Sequence, residues 1–264
     1  DNPTMVDDLW HATINGRGQM YMANNSESMR IALQAAFGDI LGQTGGQSGL
    51  AVTSINLQRG DSQAYLGTYT PAGWAGDLTA NLIDVETGEV TATPRWRAGD
   101  LLNARDWTTR VIATFNGSAG VPFTTANVGS LVNPSGTWGD SAALVDYLRG
   151  SRTGEGTSYC PRTGLMGAVI NAEPVPSRDD KLVYVASGEG MVHAVDIEIG
   201  CEHWAFVPGG VLANLGQISS RDYAFRTKLD ATPALGKLAG SGTKVLVGAL
   251  GGAGRSYYAL NVTN

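Results

Sequence analysis

Charge is scarce in this 264-residue chain, where Asp, Glu, Lys and Arg together make up 16%. The 18 basic residues are scattered and outnumbered by 24 acidic ones, for a formal net charge of -6. That leaves no basic stripe to track phosphates and argues against a nucleic-acid-binding surface. No apolar run approaches the ~20 residues of a membrane-spanning helix, so no span is expected, and no charged-then-apolar leader stands at the start. The first residue is Asp1 rather than Met, as in a processed product or an excised domain. Cysteine is almost absent. Cys160 and Cys201 cannot make a four-thiolate zinc site. In an exported protein a disulfide between them is the natural pairing, worth roughly 3–4 kcal/mol in the chain-entropy model; the alternative is two separate buried thiols. Histidine is equally rare, with His11, His193 and His203 the full set.

What the chain has in abundance is glycine, 36 residues, about double the usual share. With 42% apolar residues and few charges, the composition describes short strands joined by tight turns rather than a helical bundle or a disordered chain. One helix stands out at residues 25–42. Met29, Leu33, Phe37, Ile40 and Leu41 fall on one face, Asn25 or Ser26 can cap the start, and Gly42 can end it. Beyond it, apolar and polar residues alternate between Gly and Pro turns. Residues 109–124 have the form of a hairpin around a Gly-rich turn. The run "WGDSAALVDYLRG" has that of a short helix closed by Gly150, and "SRTGEGTSYCPRTG" that of an exposed loop.

Internal repetition carries the most information. "GDLTANLIDVETGEV" (residues 76–90) and "GMVHAVDIEIGCEHW" (190–204) share an order of Gly, strand, Asp, a few residues, Gly and strand; "KVLVGALGGAGRSYYALNVTN" (244–264) repeats the pattern again. In the turns, Asp84 and Asp196 are placed to accept from backbone amides, and Gly88 and Gly200 to adopt a conformation other residues resist. One such unit cannot bury both faces of its small sheet, so sister units must stack. Radial stacking of small antiparallel sheets is a β-propeller. The expectation is therefore an all-β propeller domain, or part of one, over residues 1–264. Blade-like units lie near 62–96, 107–131, 181–207 and 243–264, with long inserted loops and a complete, modified or incomplete ring.

The strand, Gly-x-Gly, x-Val-x-Ala-x-Asp, x-x-x-Gly, x-x-x-Trp pattern is similar to blades of quinoprotein-like propellers. At a finer grain, "VDDLWHATINGRGQMYMANN" (residues 6–25), "WAGDLTANLID", "RVIATF", "LVDYLRG", "ASGEGMVHAVD", "HWAFVP" and "VLVGALGGAGRSYYALNVT" follow in the order of the C-terminal propeller domain of the PilY/PilC family. That family comprises type IV pilus biogenesis proteins and tip adhesins. The resemblance runs from about Asp7 to Thr263. It implies a non-enzymatic, exported protein of a Gram-negative bacterium, placed at the pilus tip, cell surface or outer membrane and periplasm. It also implies minor pilins and host or abiotic surface ligands as partners, and roles in pilus assembly, adhesion and twitching. Calcium is expected for the family from a loop downstream of these residues, and no cofactor within this chain. "SRDDK" lacks the alternate-ligand spacing of such a loop, Asn261 stands where the family usually has Asp, and Ala168 stands where an acidic residue is common.

Several residue sets invite chemistry. His193 and His203 could bind a metal with Asp196 or Glu198, although a strand histidine is more often hydrogen-bonded packing. A Ser-His-Asp triad can be assembled on paper, but no G-x-S-x-G elbow is present. "GGAGRS" lacks the Lys-Ser/Thr ending of a phosphate loop. Arg59-Gly60-Asp61 spells an integrin-binding tripeptide between two strand-like runs. Trp10, Trp74, Trp96, Trp107, Trp138 and Trp204 could line a sugar groove or, more commonly, pack between sheets. Two other functions fit a similar scaffold: a quinone-dependent dehydrogenase, for which no catalytic set is recognisable, and a periplasmic assembly scaffold unconnected with pili.

Overall fold

The computed structural model describes residues 46–52, 63–84 and 86–263, all within one unit, Gly45–Asn264. The helix expected at 25–42 lies outside the described residues. Three sheets account for most of the regular structure. The first runs β1 (Gly46–Val52), β2 (Gln63–Thr70), β3 (Ala75–Leu82) and β4 (Trp96–Arg97), antiparallel in that order. The second contains β5 (Ile112–Phe115), β6 (Gly120–Pro122), β7 (Val175–Ser177), β8 (Leu182–Ser187), β9 (Met191–Asp196) and β10 (Glu202–Val207), in the order β6-β5-β10-β9-β8-β7. The third is the antiparallel set β11 (Ala234–Lys237), β12 (Lys244–Ala249) and β13 (Tyr257–Asn261). Four α-helices, α1 (Ala98–Ala104), α2 (Thr125–Val132), α3 (Ser141–Arg149) and α4 (Leu212–Leu215), and four short 3-10 turns complete the described elements. The described chain is thus mostly sheet, and none of its sheets closes into a barrel.

The hairpin at 109–124 is β5–β6, and the short helix before Gly150 is α3. The Asp140 carboxylate caps α3 by accepting from the Ala143 amide at 2.9 Å, and Gly150 ends it at φ 127. The units set apart at 107–131 and 181–207 share one sheet, because β10 pairs in parallel with β5 through Ala205 opposite Ile112. β8 is buried throughout and β9 nearly so. That is why "LVYVAS" and "MVHAV" read as near-continuous apolar runs rather than alternating ones.

The Asp-containing turns have one geometry. Asp84 Oδ1 accepts from the amides of Glu86 and Thr87 at 2.8 and 3.1 Å, and Asp196 Oδ1 accepts from Glu198 and Ile199 at 2.7 and 3.1 Å. The Gly88 and Gly200 amides return to the Asp84 and Asp196 carbonyls at 2.7 and 2.9 Å, both glycines having φ 75. At the third repeat Asn261 Oδ1 accepts from the Thr263 amide at 3.0 Å.

Trp96, at the end of the first repeat, closes over the turn of the second. Its indole N–H donates to the Ile197 carbonyl at 3.1 Å, and its ring lies 2.6 Å from where a Cβ on Gly200 would stand. The second and third sheets meet through the Phe206 and Tyr258 rings, 5.8 Å apart, and through Lys244 and Asp180 at 2.5 Å. The "SRDDK" carboxylates are therefore engaged with lysines, Asp179 also facing Lys237 and Lys244, and do not fit a calcium loop.

Candidate functional site

Four charged side chains run through the core of the second sheet. Arg110, just before β5, grips both oxygens of Glu202 through Nε and Nη2, each at 2.9 Å, with both side chains nearly sealed from solvent. The other guanidinium nitrogen donates to the Arg149 carbonyl at 2.7 Å. Arg149 answers by donating to the carbonyls of Phe123 and Arg110. Glu202 Oε2 also faces His193 Nδ1 at 2.7 Å. His193 Nε2 faces Glu189 Oε1 at 2.8 Å and Ser187 Oγ at 2.9 Å. Glu189 sits in the β8–β9 turn, where its second oxygen accepts from the Gly167 amide at 2.8 Å.

Signs alternate along this row, and the alternation sets the protonation states. Burial alone would push the His193 imidazolium toward the neutral form. The hydrogen bonds and charges of Glu189 and Glu202 outweigh it and raise the group from 6.5 to about 9. Burial likewise opposes ionisation of Glu202, but Arg110 and His193 hold its carboxyl far below the usual range. Glu189 is also lowered, burial being overcome mainly by His193.

Ser187, His193 and Glu202 have the distances of a serine-hydrolase triad, but the chemistry runs the other way. A protonated imidazole has no lone pair with which to take the Ser187 proton. The Ser187 hydroxyl is fully buried and donates to the Met191 carbonyl at 3.2 Å. The set is a charge clasp joining β9, β10 and the lead into β5.

One end of the clasp reaches a cleft of about 160 Å³, where Glu189 and Met191 meet Trp74, Phe225, Tyr147 and Arg162. Trp74 is stacked on Phe225 with ring centroids 4.1 Å apart and planes 6° from parallel, and Tyr69 stacks on Trp74 at 5.9 Å. It holds φ 54 in the β2–β3 turn, a left-handed conformation that costs a bulky residue about 1–3 kcal/mol and that the stacking offsets. Arg162 lies over the Tyr147 ring at 3.8 Å and donates to Glu155, Tyr147 and Ser151. The 151–164 segment is the largely exposed loop expected, and these contacts pin it to α3, with Ser151 and Tyr159 buried.

No protein-family profile matches the chain. Among curated proteins it is 30% identical over 314 residues to the "Type IV pilus biogenesis factor PilY1" of Pseudomonas aeruginosa (strain UCBPP-PA14), a match covering 99% of this chain and 27% of that protein. The "Type IV pilus biogenesis factor PilY1 homolog" of Xylella fastidiosa (strain Temecula1) is 30% identical over 278 residues, covering 92% of this chain and 22% of its own length. The chain belongs to the PilY1 family. It spans about a quarter of the length of these relatives.

In this PilY1-family chain the residues singled out from sequence are dispersed. Arg59, Gly60, Asp61, His11 and Trp10 lie outside the described residues. His193 and His203 do not converge: His203 is exposed and faces the Asp196 carboxylate, at 3.3 Å. Among the described residues no group of three or more His, Cys, Asp or Glu is arranged to hold a metal ion, and no helix is long and apolar enough to cross a membrane. In the structure Cys160 and Cys201 are unpaired thiols, the first half-buried and the second exposed. Cys160 lines the cleft beside Gly188 and Met191, at the start of β9, whereas Cys201 follows the turn at its other end, where its carbonyl accepts from Asp196. Six strand residues at about 3.3 Å each separate those ends, well beyond the ~7 Å a disulfide spans between Cα atoms. Trp96 packs between sheets, Trp204 packs on Tyr184 at 5.8 Å, and Trp74 alone borders the cleft. Arg110, Glu189 and Glu202 escaped sequence reasoning. Their one visible trace is a glutamate inside each of the apolar blocks "SGEGMVHAVD" and "GCEHWAFV".

Proposed function

We propose that this chain is a scaffold region of an exported type IV pilus biogenesis factor, working at the pilus tip or outer membrane of a Gram-negative bacterium. The observation that carries the reading is the 30% identity, over 99% of the chain, to a protein named for that role. In this reading the three sheets are blades of a quinoprotein-like propeller, and the region acts without catalysis. It supports pilus assembly and surface attachment by presenting loops to minor pilins and to host or abiotic surfaces. The two carboxylates flanking His193 support the non-catalytic part, since they favour its protonated form, which cannot act as a base toward Ser187. Arg59, Gly60 and Asp61 are the candidate host contact, and a calcium loop in the longer protein is the candidate metal site.

An in-frame deletion of this region from the full-length gene tests the proposal. Surface pili, measured by shearing and immunoblotting, and twitching motility should both be lost and should return on complementation. Normal piliation and motility in the deletion strain would refute it.

A further inference from the structure

A second cleft, polar and about 450 Å³ in volume, lies between α4, residues 226–228 and the Gly251–Ala253 turn. Lys228 lines it and is 6% exposed. Its ammonium has three protons to donate but one hydrogen-bond partner among the described residues, Gln217 Oε1 at 2.6 Å; the Tyr223 ring stands 5.8 Å away. No described carboxylate pairs with it. Asp230, near Gly252, is held by the amide and side chain of Asn171.

A buried charge is ordinarily paired, and here the surroundings add positive charge. Arg226 lines the same cleft, exposed, with no ion-pair partner for its guanidinium among the described residues. The amide oxygens nearby each hold a donor: Gln217 Oε1 takes Lys228, and Asn214 Oδ1 takes the Gln217 amide at 3.3 Å. The cleft is therefore rich in donors, and among the described residues no carboxylate lines it. Burial, and then the Arg226 charge, lower the Lys228 ammonium from its ordinary value. The Gly-rich "GGAGRS" forms one wall, with Gly252 presenting backbone rather than side chain.

We propose that this cleft binds a small oxyanion, a phosphate or a carboxylate, between Lys228 and Arg226. Such a group would take the unused Lys228 protons and one edge of the guanidinium. The site is separate from the aromatic cleft and from the pilus role proposed above.

The test is thermal unfolding of the whole chain in inorganic phosphate or acetate, against chloride at matched ionic strength. Phosphate, acetate or both should raise the wild-type midpoint with the logarithmic concentration dependence of a bound ligand, and whichever acts identifies the source of the oxyanion. Lys228→Met should abolish that increment. Arg226→Gln, at an exposed position that does not threaten folding, should weaken apparent affinity several-fold. No increment with either anion, or equal increments in wild type and Arg226→Gln, would overturn the proposal.

Discussion

Arg110, Glu202, His193 and Glu189 lie end to end in a protein interior, and each is tolerable there because of the next. Removing one leaves its neighbour buried and short of a charge partner. Arg110→Met should therefore destabilise the fold by up to about 3–5 kcal/mol, since Glu202 stays buried with His193 as its remaining charge partner; a loss under 1 kcal/mol by denaturant unfolding would show that the row is not held this way. The same row makes stability depend on pH with a defined sign. His193 is raised from 6.5 to about 9, so its contribution is complete below pH 6.5 and disappears as pH rises through 9. Glu189 and Glu202 are lowered from 4.5, so theirs is complete above that value and is lost in acid. The clasp contributes most between pH 4.5 and 6.5. Between pH 6.5 and 9 the wild type should lose about 3 kcal/mol from His193, and His193→Gln should lack that slope whatever its absolute stability. Parallel curves for the two proteins would contradict the assignment.

Among the elements, the Asp-Gly turns show what sequence reveals and what it hides. Asp84, Gly88, Asp196 and Gly200 announce their turns because every bond involved lies within four residues. The two glycines look equivalent on paper, yet a Cβ at Gly88 meets nothing and one at Gly200 meets Trp96 at 2.6 Å. Gly88→Ala should cost about 1–2 kcal/mol from the left-handed backbone alone. Gly200→Ala should cost at least ~2 kcal/mol more, because the indole must move. Equal losses in paired unfolding curves would mean that Trp96 does not seal that turn. The joining of the 107–131 and 181–207 units was likewise hidden: the parallel β5–β10 pairing leaves no local mark, and both strands carry apolar residues suited to either partner. The clasp was hidden for a related reason, since Arg110 and Glu202 meet across long stretches of chain while each alone looks like an ordinary surface charge.

For the molecule as a whole, the ordered blocks from "WAGDLTANLID" to "ALNVT" were the most legible feature, and they led to the family the comparisons support. What they did not reveal was how the three sheets are joined, by contacts that include Trp96 on the Gly200 turn, Arg95 on Glu198, Lys244 on Asp180 and Phe206 beside Tyr258. Those contacts, with the buried clasp, suit the scaffold role proposed above. The claim that this region supports pili by shape rather than by chemistry is tested most directly at Ser187. In a strain carrying Ser187→Ala in the full-length protein, surface pili and twitching should match wild type at normal protein levels. Loss of piliation in a correctly folded, normally abundant Ser187→Ala protein would mean that the hydroxyl reacts, and would contradict the account.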